Sequence, residues 1–252
     1  MWLSGSRRAS HETRVDAVHP QAVSPRAPWR FGHAFLPMIE AGTRASLPDP
    51  CSFSPSPAHA ERLARYYTRM FSRGGTVADI GFGQGFFLEA ACAAGLRPIG
   101  LDRDASLVEA ARRRGYEAIE GDVLAIAEHI PSGSLDGVMA SHIIEHLSPS
   151  HVRQFFAMLA DAVRPAGDVI VATPNMRDLR VATYWFWLDV THVRPYPAAA
   201  LRALIEPLSW EWVAQGYEPA QLTRRTPGVL LNRLRFGRDY GRAGCWYHIR
   251  RT

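Results

Sequence analysis

The chain has no lysine: all 29 basic residues are arginine, set against 24 acidic ones for a formal net charge of +5. A positive balance ordinarily raises the question of a nucleic-acid partner. Here the missing lysine, alongside abundant alanine and glycine, reads as genomic base composition, so the charge carries little weight and a nucleic-acid partner is not expected. Cysteine is scarce as well. Cys51, Cys92 and Cys245 lie far apart and form no C-x-x-C, which argues against a zinc site or a disulfide framework and predicts free thiols. No apolar run approaches the length of a membrane span, although peripheral contact with a membrane stays open. Arg7 and Arg8 are not followed by an apolar stretch, so no secretory signal is read and a cytoplasmic location is expected.

What is present is enough for one good core: 252 residues with 47% hydrophobic content. Residues 1–57 hold eight of the 18 prolines and show no sustained periodicity, so this segment is expected to be disordered. A short apolar patch, Trp29 to Leu36, could pack on the domain. From residue 58 the pattern changes, and Leu63, Tyr66, Tyr67, Met70 and Phe71 recur at helical spacing. A single domain over 58–252 is the expectation.

The centre of that domain is the stretch from Thr76 to Asp102. Thr76-Val77-Ala78-Asp79-Ile80 is β-prone, Gly81-Phe82-Gly83-Gln84-Gly85 is a turn, and Phe86 onward reads as a helix. A second apolar stretch ends in Asp102, where such folds place a ribose-binding carboxylate. A dinucleotide fingerprint would need a glycine at the sixth position of the turn, and Phe86 stands there. With glycines at 81, 83 and 85 and a carboxylate two residues ahead, the pattern D-x-G-x-G-x-G resembles motif I of the class I S-adenosylmethionine (SAM) dependent methyltransferases. The chemistry agrees: SAM carries an ammonium and a sulfonium, so a carboxylate is favourable where it would repel a pyrophosphate. The resemblance implies that Asp79, Gly81, Gly83, Gly85, Asp102, Asp122 and Ser141 bind SAM, with Asp102 on the ribose and Asp122 on the adenine amine. Asp122 could equally cap the helix expected over Val123 to Ile130.

Strands and helices alternate from there. Helix is expected at Ala105 to Arg114 and Val152 to Val163, and strand at Tyr116 to Ile119, Leu135 to Ser141 and Val169 to Thr173. That order implies a doubly wound, Rossmann-like α/β fold. The segments S-H-x-x-E-H-L (141–147) and T-P-N (173–175) are similar to those of small-molecule and glycan methyltransferases, which close with a helix and an antiparallel hairpin. Ala198 to Ile205, Trp210 to Val213 and Trp246 to Ile249 fit those places, for a seven-stranded, mostly parallel sheet with an antiparallel last strand.

His142-Ile-Ile-Glu145-His146 also matches H-x-x-E-H, a zinc-peptidase signature. Its place at the end of a strand in a SAM-like domain argues against that use, and no metal is expected. His142 lies where this architecture binds ligands, whereas His146 is read as structural. Between the fifth and sixth strands, D-x-T-H-x-R-P-Y (189–196) is similar to a run in bacterial methyltransferases of surface-polysaccharide and O-antigen synthesis. There Trp187, Asp189, Arg194 and Tyr196 are candidate acceptor contacts, with His192 the first candidate base and His142 the second. The alternative is that these aromatics cap the sheet and His192 only holds a loop. Eight arginines against one acid from Leu222 to Thr252 are read as a solvated face.

The expected activity is methyl transfer from SAM to an oxygen of a small molecule or glycan. RNA or ribose methylation is the alternative within the class. The amino-methylating DNA enzymes carry a D/N/S-P-P-Y/F motif after strand four, and Ala140-Ser141-His142-Ile143 stands there; the only Pro-Cys, Pro50-Cys51, precedes the glycine turn instead of following it. Outside the class stand a noncatalytic SAM-fold partner and a nicotinamide-dependent oxidoreductase.

Overall fold

A computed structural model describes residues 56–219 and 227–252. The expected disorder of the proline-rich segment, the Trp29 to Leu36 patch and Cys51 fall outside the described residues. Pro57 opens α1 (Pro57–Thr68), where its missing N–H would have had no helical partner in any case. There follow β1 (Thr76–Ile80), α2 (Phe86–Ala93), β2 (Arg97–Asp102), α3 (Ala105–Arg113) and β3 (Glu117–Glu120). Asp104 starts α3 by accepting from the backbone N–H groups of Ser106 and Leu107, donors that the first helical turn leaves unpaired.

The helix expected over 123–130 is two pieces, a 3-10 turn at Val123–Ala125 and then α4 (Ile126–His129). Next come β4 (Leu135–Ser141), α5 (Pro149–Ala162) and β5 (Val163–Pro174). The fifth strand starts earlier than the sequence suggests because α5 passes directly into extended chain. Ala166, at φ +61°, and a register shift against β4 between Leu135 and Gly137 accommodate the Pro165-Ala166-Gly167 run within the strand. A π-helical turn at Val181–Trp185 then leads into α6 (Phe186–Leu188), and α7 (Ala198–Ile205), β6 (Trp210–Tyr217), α8 (Pro227–Phe236) and β7 (Gly244–Arg251) complete the chain. Neither α6 nor α8 was expected: α6 is a single aromatic turn, and the exposed leucines of α8 show no clean stripe.

The seven strands form one sheet in the order β3-β2-β1-β4-β5-β7-β6. The first five are parallel, and β7 runs antiparallel to both β5 and β6. Period-two alternation sorts the strand residues between the two faces. Ala78, Ile80, Val138, Ala140, Val169 and Val171 join Phe155, Phe156 and Leu159 on one face, while Val77, Met139, Ile170 and Ala172 meet Tyr67, Phe71 and Phe87 on the other. Each such buried side chain contributes about 1.5–3 kcal/mol. No helix among the described residues is long and apolar enough to cross a membrane. Strand order reverses between β1 and β4, so their carboxyl ends open a crevice on one edge of the sheet.

Candidate functional site

Five strand ends supply the crevice, and the glycine turn forms its floor. Gly81, Gly83 and Gly85 all have positive φ, at +69°, +54° and +77°. A Cβ on Gly81 would stand 2.2 Å from Cδ1 of Ile143, so both the backbone and the close approach of the next segment require glycine. The turn is tied to the second strand by Asp102, whose Oδ2 accepts from the Gly83 N–H at 3.0 Å and whose Oδ1 accepts from the Asp104 N–H at 3.0 Å. Those bonds hold the Asp102 carboxylate rigid at the edge.

Asp79 is the electrostatic anomaly. It is 3% exposed, and no hydrogen bond to its carboxylate is formed by any described residue. Burial, aided by the charge of Asp102, pushes its carboxyl up to about 8. A buried carboxyl without a donor is a place where a ligand cation would restore what water supplied. It lines a cavity of about 190 Å³ together with Gly81, Phe82, Phe86, Met139 and Ser141. This acid against an apolar wall fits the ammonium end of SAM and offers nothing to a pyrophosphate. Asp122 is exposed, and one oxygen caps the 3-10 turn through the Leu124 N–H at 2.8 Å. Its other oxygen makes no hydrogen bond among the described residues, so capping leaves it free to meet a ligand.

A second cavity, of about 250 Å³, is lined by His59, His142, His146, Asp189, His192 and Glu218, among others. Leu63 and His142 line both cavities. His142 sits at the end of β4 with φ +56°, a left-handed backbone that costs a non-glycine residue of order 1 kcal/mol or more. Its Nδ1 is 2.9 Å from Oε1 of Glu145, which is fully buried and also accepts from the Thr173 hydroxyl at 3.1 Å. Burial alone would lower the His142 pKa, but the hydrogen bond to Glu145 and the charges of Glu145 and Glu218 outweigh it and push it up to about 9. The side chain is nonetheless 46% exposed, and its raised pKa suits a hydrogen-bond donor to Glu145 better than the second candidate base. The peptidase geometry is not formed either: only Ile144–His146 is helical, and His142 precedes that turn.

His192 is better arranged for a base. Its Nδ1 lies 2.6 Å from the Phe186 carbonyl oxygen, which can only accept, so Nδ1 carries a proton and, in the neutral ring, Nε2 is the basic nitrogen. Asp189 lines the same cavity, its Oδ2 lying 3.8 Å from His192 Nε2. The other expected acceptor contacts lie elsewhere. Tyr196 is 1% exposed in the core and donates to the Leu147 carbonyl at 2.7 Å, Arg194 lies over the Tyr196 ring, and Trp187 is 61% exposed with its indole N–H given to the Ala182 carbonyl. None of the three lines the cavity; the neighbouring Trp185 and Phe186 do. The local spacing of 185–196 could not distinguish them, because the π-helical turn rotates the aromatic run.

Sequence reasoning passed over His59, His146, Tyr67 and Glu218. Tyr67 donates to buried Glu218 at 2.7 Å, a pair separated by 151 positions that no local motif announces. His146 had a signal, the H-x-x-E-H pattern, which was assigned to structure.

A family profile described as a methyltransferase domain matches residues 58–215, more than half of the chain. Among curated proteins, 106 residues are 32% identical to the tRNA (carboxymethyluridine(34)-5-O)-methyltransferase ALKBH8 of Mus musculus, covering 42% of this chain and 15% of that protein. A stretch of 100 residues is 31% identical to the ubiquinone biosynthesis O-methyltransferase of Bradyrhizobium sp. (strain ORS 278), covering 38% of this chain and 39% of the relative. The match therefore spans well under half of the length of either relative. Among solved structures, a SAM dependent methyltransferase from Archaeoglobus fulgidus superimposes with a TM-score of 0.65 at 23% identity, over 76% of this chain and 92% of that one, a likeness of fold.

Proposed function

From the premise that the chain belongs to the methyltransferase-domain family, the class I SAM-dependent methyltransferases, we propose that it moves the SAM methyl group onto an oxygen of a small molecule or glycan seated in the histidine-lined cavity. The observation that carries this reading is the junction of the two cavities: the one floored by Asp79 and the glycine turn shares Leu63 and His142 with the one that holds His192. A donor bound in the first therefore presents its reactive end to an acceptor in the second.

SAM supplies a methyl group already activated by its sulfonium. The chain's residues supply position, which is worth several kcal/mol when reacting atoms are held in line. Asp79 takes the ammonium, Asp102 the ribose hydroxyls and Asp122 the adenine amine. His142, held by Glu145 through its Nδ1 at 2.9 Å, forms part of the wall that the two cavities share. The acceptor oxygen attacks the methyl carbon, the C–S electron pair returns to sulfur, and the acceptor proton passes to His192 Nε2.

An RNA acceptor is the second reading, supported by the relative named for tRNA methylation and by the exposed arginines at and just after the end of α8, Arg235 and Arg238. A panel of phenols, sugars and bulk tRNA with labelled SAM separates the two. Calorimetry with SAM, S-adenosylhomocysteine and NAD tests the class itself: SAM and its product bind and NAD does not. Tight NAD binding with no response to SAM would reject the assignment.

A further inference from the structure

We propose that Glu145, His146 and His192 hold one divalent transition-metal ion in the acceptor cavity, where it binds and acidifies the acceptor hydroxyl. One donor atom from each of the three lies within 4.8 Å of the other two. Glu145 is fully buried with its oxygens already engaged by His142 and Thr173, so it would meet the ion from beneath the cavity through a remaining lone pair. Two imidazoles and a carboxylate suit Mn²⁺, Fe²⁺, Co²⁺ or Zn²⁺ and leave coordination positions open.

Proximity alone would be weak ground, but the hydrogen bonds around the cluster add an independent argument. The Thr191 hydroxyl gives its proton to Asp189 Oδ1 at 2.6 Å, so toward His146 Nδ1, 2.9 Å away, it can only accept. His146 therefore carries its proton on Nδ1. His192 does the same, since the Phe186 carbonyl opposite its Nδ1 has none to give. Both rings are thus fixed by outer hydrogen bonds in the tautomer that frees Nε2, the arrangement that metal-ligating histidines ordinarily show. Asp189 Oδ2 lies 3.8 Å from His192 Nε2, close enough for one cation to take both, which places Asp189 as a fourth donor. His146, His192 and Asp189 all line one cavity.

Only the ion's chemical role rests on the methyl-transfer reading; its binding does not. With the ion bound, His192 is a ligand and no longer the base. The acceptor hydroxyl on an open position loses its proton to water, keeps the O–H electron pair, and attacks the methyl carbon as before.

The test uses the full chain without a histidine tag, stripped with a chelator and titrated with Co²⁺ while the visible d–d bands are followed, alongside calorimetry with SAM on the same preparations. The expected result is one Co²⁺ per chain, bound about 100-fold or more weaker in His146→Ala and in His192→Gln, with SAM affinity unchanged. That retained SAM affinity certifies the fold of each variant; if His146→Ala fails it, His192→Gln decides. Absence of d–d bands in the wild-type chain, or bands unchanged in both folded variants, would overturn the proposal while leaving methyl transfer intact. Co²⁺ bound by a wild-type chain that ignores SAM would do the reverse.

Discussion

The two cavities share α1 and His142 but differ in the rest of their walls. The Asp79 side adds one compact stretch, 79–87, with Met139 and Ser141 from β4, and α1 closes it through Ala60, Leu63, Ala64 and Tyr67. The His192 side is assembled from α1, the end of β4, the 181–192 segment, Glu218 and Gly244, elements that meet only in the finished fold. A common donor needs the first kind of construction and a particular acceptor needs the second. Change on one side should therefore leave the other largely undisturbed, and that separation can be tested.

The sharpest break is His192→Ala. Turnover is expected to fall by roughly 10²–10⁴-fold, the usual worth of a positioned base, and a loss is equally expected if the ring holds an ion instead, with SAM affinity near wild type in both cases; full activity in that variant would remove His192 from the chemistry. Next is Asp102→Ala, expected to weaken SAM binding by about 100-fold through loss of charge-assisted hydrogen bonds, with a thermal midpoint that still shows a folded domain. Unchanged affinity by calorimetry would contradict the ribose role and erase the contrast between the two sides. Smallest is a pair within the acceptor-side run. Tyr196→Phe should cost about 1 kcal/mol of stability by orphaning the Leu147 carbonyl, without moving either KM, whereas Trp187→Ala should stay within about 0.5 kcal/mol. A raised acceptor KM in Tyr196→Phe would return that residue to the site.

The same division explains what could be read from sequence. The glycine turn, Asp79 and Asp102 were legible because a βαβ unit brings residues about twenty apart to one edge by topology alone, and the five parallel strands followed from alternation and punctuation. The antiparallel β6 and β7 were placed through the resemblance to a family that closes with such a pair. The Tyr67–Glu218 pair was not, because a contact across 151 positions leaves no spacing to count. Nor was the sorting of Trp185 from Trp187 or of Asp189 from Tyr196, since it depends on the pitch of a π-helical turn and on which ring the core accepts. His142 stands just past the end of β4, as the strand reading implied, but its raised pKa follows from Glu145 and Glu218, one of them far away in sequence.

The central claim is that buried, donorless Asp79 is completed by the cation of SAM. A carboxyl pushed up to about 8 is mostly protonated at pH 7 and must ionise to meet an ammonium, so binding should release close to one proton and strengthen as pH rises toward 8. Calorimetry at pH 7 in two buffers of different ionisation enthalpy measures that proton directly. The account predicts a buffer-dependent binding heat corresponding to nearly one proton in the wild-type chain and none in Asp79→Asn, which should also bind SAM more weakly. Binding heats that do not depend on buffer, or equal SAM affinity in the two chains, would contradict it.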